Sequence, residues 1–280
     1  MGSRRDATGA EVGTRSRSRS RTWTDHEWTE VDGRRVHAAA TGRPGSPTLV
    51  LVHGHGESHR YFRPLATRLA DRARVVALDL PGFGLTACAG PPLDLRGLSD
   101  ALAGWLRATG REGSVVVARS VGCQVVVDTA VHSPEVLGRV VLAGATVDSR
   151  SRAWVPQVAR LVANGAHERP DLGPLLAGDW ACCGLRRYVD TFSHMLADPV
   201  EDKVHHLSPL TLLLRGQWDL LSPRAWNRLL VDRLPNGRLT EVPWAGHTLG
   251  WTRPRSFARA LEDVLAAAAD RDRGGTHPSG

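Results

Sequence analysis

Short, wholly apolar runs alternate along this chain with longer stretches whose apolar positions recur at helical spacing. TLVLVHG (48–54) is continuous apolar sequence ending in glycine, which is how a strand buried on both faces reads. RVVALDLPG (74–82) repeats that signature, and SVVVARS (114–120), RVVLAGA (139–145), LTLLLRG (210–216) and RLTEVPW (238–244) read as further strands. Between them, 58–70, 95–108 and 121–132 read as helices; in the first, Tyr61, Leu65 and Leu69 share one face. Ahead of the first run, HEWTEVDGRRVHAAATG reads as a hairpin turning at Asp32–Gly33, a pair that tolerates positive φ. Ser222–Pro223 offers a capping hydroxyl and a first-turn proline to a helix between the last two strands. A final helix is expected over 254–269. This alternation predicts an α/β fold with a mainly parallel sheet covered on both faces.

One segment breaks the rhythm. Residues 147–206 contain no buried-strand run and are too long for a bare loop. Trp154, Val155, Val158, Leu161 and Val162 fall on one helical face, and Leu185, Tyr188, Val189, Phe192, Met195 and Leu196 on another. The expected organisation is a core of 24–146 and 207–270, a helical lid at 147–206, and disordered tails at 1–23 and 271–280.

Composition narrows the function classes. With 41% hydrophobic and 23% charged residues, the chain can build an ordinary globular core. The net charge of +7 invites a nucleic-acid reading, but residues 1–21 carry six arginines against Asp6 and Glu11, leaving only +3 elsewhere. The RSRSRSR stretch has nothing apolar to bury and is expected to be solvated. Lys203 is the only lysine, so the basic bias is an arginine bias of the whole chain. No apolar stretch of about 18 residues exists to span a bilayer. No apolar region follows MGSRR as a signal peptide requires, and Asp6 stands where myristoylation wants Ser or Thr. Cys88, Cys123, Cys182 and Cys183 form neither a C-x-x-C pair nor a zinc pattern, as expected of reduced thiols in the cytoplasm. Neither a metal nor a cofactor is expected, nor a specific nucleic-acid or membrane partner. Oligomeric state is left open.

The chemistry lies in ARSVG (118–122), GQWD (216–219) and AGHT (245–248), which supply in order a nucleophile, an acid and a base. A serine hydroxyl attacks carbonyls only when an imidazole takes its proton and a carboxylate holds that imidazole in the right tautomer. Ser120, Asp219 and His247 each follow a strand run, in the chain order of one particular triad scaffold. Read singly, Ser120 is also a helix cap, Asp219 a turn former and His247 an ordinary loop histidine.

Together with HGHGES (53–58) and DLPGFGLT (79–86), these fragments resemble the α/β-hydrolase fold superfamily over about 24–270, and its single-cap members in particular. Ala118 replaces the first glycine of the usual G-x-S-x-G. The resemblance implies an oxyanion hole from the backbone N–H groups of His55 and Val121, with His53 holding the loop. Serine rather than aspartate at the elbow disfavours the epoxide hydrolases and dehalogenases, leaving attack on a carbonyl carbon, a carboxylic ester first. The alternatives are a haloperoxidase, C–C lyase or synthase on the same triad and, more remotely, a non-catalytic binding protein. Trp251, four residues past His247, is similar to a tryptophan of the C–C hydrolases, although Thr248 replaces their usual aromatic. Trp154, Phe192, Trp218 and Trp251 are the expected pocket residues, for a small apolar or aromatic carbonyl substrate. Arg119 leaves two readings open, a carboxylate ligand or a side chain turned into packing or solvent.

Overall fold

The computed structural model describes residues 22–267. Eight strands form one sheet: β1 (Asp25–Val31), β2 (Arg34–Thr41), β3 (Thr48–Val52), β4 (Arg74–Leu78), β5 (Val115–Arg119), β6 (Val140–Ala143), β7 (Thr211–Gly216) and β8 (Gly237–Val242). Their order across the sheet is β1-β2-β4-β3-β5-β6-β7-β8. The pairs β1–β2 and β2–β4 are antiparallel, and the rest are parallel. The helices are α1 (Arg63–Leu69), α2 (Leu95–Ala108), α3 (Val121–His132), α4 (Trp154–Gly165), α5 (Gly173–Cys183), α6 (Leu185–Ala197), α7 (Val200–Lys203), α8 (Arg224–Arg233), α9 (Leu249–Thr252) and α10 (Pro254–Ala260).

Strand periodicity explains why the central runs are apolar throughout. Successive side chains point to opposite faces, so Val50 and Val52 of β3 join one core while Leu49 and Leu51 join the other. β5 divides likewise, Val116 and Ala118 against Val115 and Val117. The first core is closed by α2, α3 and α8, the second by α1, α9 and α10. Each fully buried aliphatic side chain contributes about 1.5–3 kcal/mol, so the two cores dominate stability.

The hairpin turns where Asp32 and Gly33 take φ of 47° and 70°, as a two-residue loop requires. It is stapled to the sheet through Asp79. The carboxylate receives Nδ1 of His37 (2.8 Å) and of His59 (2.9 Å), and the amides of His59 (2.7 Å) and Leu85 (2.9 Å). Burial works to raise the Asp79 pKa, but the two histidine bonds outweigh it and hold the carboxyl well below its usual range.

Three expectations need correction. The N-terminal tail was expected to reach residue 23, yet Trp23 is buried and packs edge-on against His59; residues 1–21 of that tail, and 271–280, lie outside the described residues. Ser222 does not cap α8, whose N-cap is Pro223, because its hydroxyl donates instead to Ala145 O (2.7 Å). The last helix is interrupted at Leu261 and resumes over 262–267.

Residues 147–206 are helical, with α4 to α7 and three short 3-10 turns. The expected face of α4 is turned part of the way out, however, with Leu161 still lining the cavity described below. Val155 and Val162 are 79% and 73% exposed, while Gln157 and Asn164 are buried. Their amides find partners that valine could not use: Gln157 donates to Ser151 O (2.9 Å), and Asn164 binds Glu168 and Leu220.

Candidate active site

Ser120 sits between β5 and α3 with φ 51° and ψ −121°, a conformation that costs a residue with a side chain about 1–3 kcal/mol. The turn is held on both sides: Ser120 N donates to Ala143 O (3.0 Å), and Ser120 O accepts from Cys123 N (2.9 Å). α3 then starts so close to β3 that a Cβ on Gly122 would stand 2.6 Å from His53 O. Only glycine fits there, the physical content of the second glycine in the motif.

Asp219 lies in the loop after β7, and His247 in the loop after β8. His247 Nδ1 is 2.9 Å from Asp219 Oδ2. Because a carboxylate can only accept, Nδ1 carries the hydrogen and Nε2 is left with a free lone pair able to take a proton. Asp219 Oδ1 accepts the amides of Leu221 and Ser222, both at 2.9 Å. Burial disfavours the charged carboxylate, but His247, the Ser222 amide and Arg215 overcome that and lower its pKa. Gly144 (φ 61°) backs the pair; a Cβ there would come within 3.0 Å of the imidazole and 3.2 Å of Asp219 Oδ2.

Ser120 and His247 open into one cavity of about 470 Å³, between the sheet's carboxyl edge and the helical insert. The insert lines it with Leu161, Leu172, Leu176, Tyr188, Phe192 and Met195. The backbone N–H groups of His55 and Val121 donate to no group among the described residues, and Val121 opens α3, where amides are free by geometry. His53 holds the loop: its Nε2 accepts Leu80 N (3.1 Å) and its Nδ1 donates to Gly54 O (2.8 Å). The His55 side chain lines the cavity, packed against Tyr188 and Phe192 at 4.1 and 5.5 Å between ring centres. Burial lowers its pKa to about 3 and leaves it neutral.

Arg119 binds a carboxylate, but one of its own chain: it forms a buried ion pair with Glu57 while its guanidinium lies 4.2 Å over the Tyr61 ring. Glu57 also accepts Gly54 N (3.2 Å), so the pair ties the 53–58 loop to β5, which ends one residue before Ser120.

Of the four expected pocket residues, Phe192 lines the cavity. Trp154 packs against it with tilted rings, 4.5 Å between centres, and does not line the cavity. Trp218 stands outside, 39% exposed and packed edge-on against Trp244. Trp251 also lies outside, donating its Nε1 to Asp171 (3.0 Å). Trp218 adjoins Asp219 and Trp251 lies in α9, four residues past His247, yet neither side chain lines the cavity. The polar lining residues Thr146, Gln157, Asn164 and Glu168 carry no motif and could not be found from sequence. Among the described residues, His37, His59 and Asp79 bring possible metal-ligand atoms within 4.8 Å of one another. Hydrogen bonds already engage both Asp79 oxygens and both histidine Nδ1 atoms. No helix among the described residues is long and apolar enough to cross a membrane.

Comparisons with known proteins agree with this architecture. The family model described as "Alpha/beta hydrolase family" matches residues 49–275. The "Putative carbamate hydrolase RutD" of Caulobacter vibrioides is 25% identical over 268 residues, covering 85% of this chain and 97% of that protein. A bacterial membrane phospholipase A superposes with a TM-score of 0.75 at 21% identity, over 87% of this chain and 86% of that one. A thermophilic esterase from Thermogutta terrifontis superposes at 0.72 and 20% identity, over 88% and 99%. The match spans both cores and every strand from β3 onward, and the chain is a hydrolase of the alpha/beta hydrolase family.

Proposed function

We propose that this protein is a serine hydrolase that cleaves small carboxylic esters through an acyl-enzyme on Ser120. The observation that carries the reading is the buried His247–Asp219 bond of 2.9 Å, beside a strained serine that shares one cavity with His247. His247 Nε2 takes the proton as Ser120 Oγ adds to the carbonyl carbon, and Asp219 stabilises the imidazolium. The oxyanion is received by the N–H groups of His55 and Val121, each contributing about 3 kcal/mol. Collapse breaks the C–O bond, and His247 returns the proton to the leaving alcohol. Water, deprotonated by the same imidazole, then releases the acid and restores Ser120. Residues 147–206 act as a lid whose apolar wall favours an acyl chain or aryl group. The esterase and carbamate hydrolase names among the similar proteins support hydrolysis at a carbonyl.

Treatment with diisopropyl fluorophosphate should add one adduct to the peptide containing ARSVG. His247→Ala and Asp219→Ala should each lower kcat on p-nitrophenyl acetate by several orders of magnitude without unfolding the protein, since triad members act as a unit. Labelling of another serine, or of none, would overturn the assignment.

A further inference from the structure

The insert does more than face the cavity. Asn164, at the end of α4, is buried and donates Nδ2 to Glu168 Oε1 (2.6 Å), while its Oδ1 accepts Leu220 N (3.4 Å), next to Asp219. Glu168 Oε1 also accepts Thr248 N (2.9 Å), next to His247, and its second oxygen takes the Thr248 hydroxyl. Two flanking contacts follow the same course: His167 packs on Trp218 at 5.5 Å, and Asp171 accepts the Trp251 indole. The stretch 164–171 thus grips both loops that carry the acid and the base, and Asn164, Gly165, Glu168, Arg169 and Pro170 of it also line the cavity.

Resting on the serine-hydrolase reading above, we infer that Asn164 and Glu168 are positioning residues, a clip through which the insert sets the alignment of His247 and Asp219. The loops bearing these two side chains are otherwise short connections at the sheet's edge. An anionic acceptor on the Thr248 amide and hydroxyl fixes the backbone immediately after His247, and bonds to a charged acceptor are about twice as strong as neutral ones. Alignment matters steeply, because about 1 Å of misplacement can cost about a hundredfold in rate.

The test is steady-state hydrolysis of p-nitrophenyl acetate and the rate of Ser120 labelling by diisopropyl fluorophosphate, with folding followed by circular dichroism. Glu168→Ala should lower kcat and the labelling rate together by about ten- to a hundredfold, with KM moving far less. Glu168→Gln, which still offers an oxygen to Thr248 N, should recover most of the loss. Thr248→Val removes only the hydroxyl bond and should fall between them. The double variant Glu168→Ala/Thr248→Val should be no slower than Glu168→Ala, since both break one connection. Should Glu168→Ala fail to fold, Glu168→Gln and Thr248→Val decide the matter. Wild-type labelling rates in the folded variants, or losses that multiply in the double variant, would overturn the clip and leave the hydrolase reading intact. Absence of labelling in the wild type would overturn both.

Discussion

A serine with positive φ at the mouth of a cavity is a local conflict between stability and chemistry. Ser120 keeps a strained backbone because that turn aims its side chain at the cavity, and the bonds to Ala143 and Cys123 hold it there. Glycine adopts the same φ without penalty but loses more freedom on folding, about 0.5–1 kcal/mol, against strain of about 1–3 kcal/mol. Strain wins this comparison. Ser120→Gly should be more stable than Ser120→Ala by about 1 kcal/mol, seen as a higher urea midpoint, while both lose esterase activity. Equal midpoints would show that the turn carries no strain. The motif around Ser120 was legible in the sequence because it is local: a strand, a small residue and a helix start within five positions. The Arg119–Glu57 pair was not, since its partners stand 62 residues apart and meet only when β3 and β5 lie side by side.

At the level of elements, the strand starts were readable to within one residue, while the insert was readable as helical but not in which of its faces is buried. A strand buried on both faces has to be apolar at every position, so its sequence leaves one solution. An amphipathic helix has two faces, and which one turns inward depends on what waits there. α4 presents Gln157 and Asn164 inward because Ser151, Glu168 and the Leu220 amide need partners, and its valines are left to solvent. α6 follows its pattern at Phe192, Met195 and Leu196, which are buried, while Leu185 and Val189 of the same expected face are exposed. Phe192→Ala should consequently enlarge the cavity and shift the preferred p-nitrophenyl ester toward longer acyl chains. KM for short esters should rise more than kcat falls, because ground-state and transition-state contacts are lost alike. An unchanged chain-length profile would remove α6 from substrate choice.

The whole molecule should be acid-sensitive in two stages. The folded state holds His55 neutral, with its pKa lowered from 6.5 to about 3. Its contribution is fully present above pH 6.5 and is lost as pH falls through the interval down to about 3. Asp79 is also lowered, so its contribution is present above the usual carboxylate value of 3.8 and is lost below it. One proton is worth about 1.4 kcal/mol per pH unit within such a window. Urea unfolding at pH 7, 5.5 and 4.5 should show stability falling, and His55→Leu should flatten that slope while leaving the steeper loss below pH 4. Identical slopes in the two proteins would mean that His55 is not held neutral by burial.

The sequence by itself determined the order of strands and helices, the hairpin turn, the place of the turn at Ser120 and the candidates Asp219 and His247 for the proposed acid and base. Each of these is encoded over a few adjacent positions, where backbone geometry and side-chain alternation act directly. Tertiary structure alone decided which tryptophans see the cavity, which face of α4 is buried, and that Asp79, His37 and His59 converge. It also decided that Glu168, 80 residues before Thr248, reaches the loop of the base. Those outcomes depend on which polar groups are left needing partners once the chain has closed, and that demand exists only in the folded molecule.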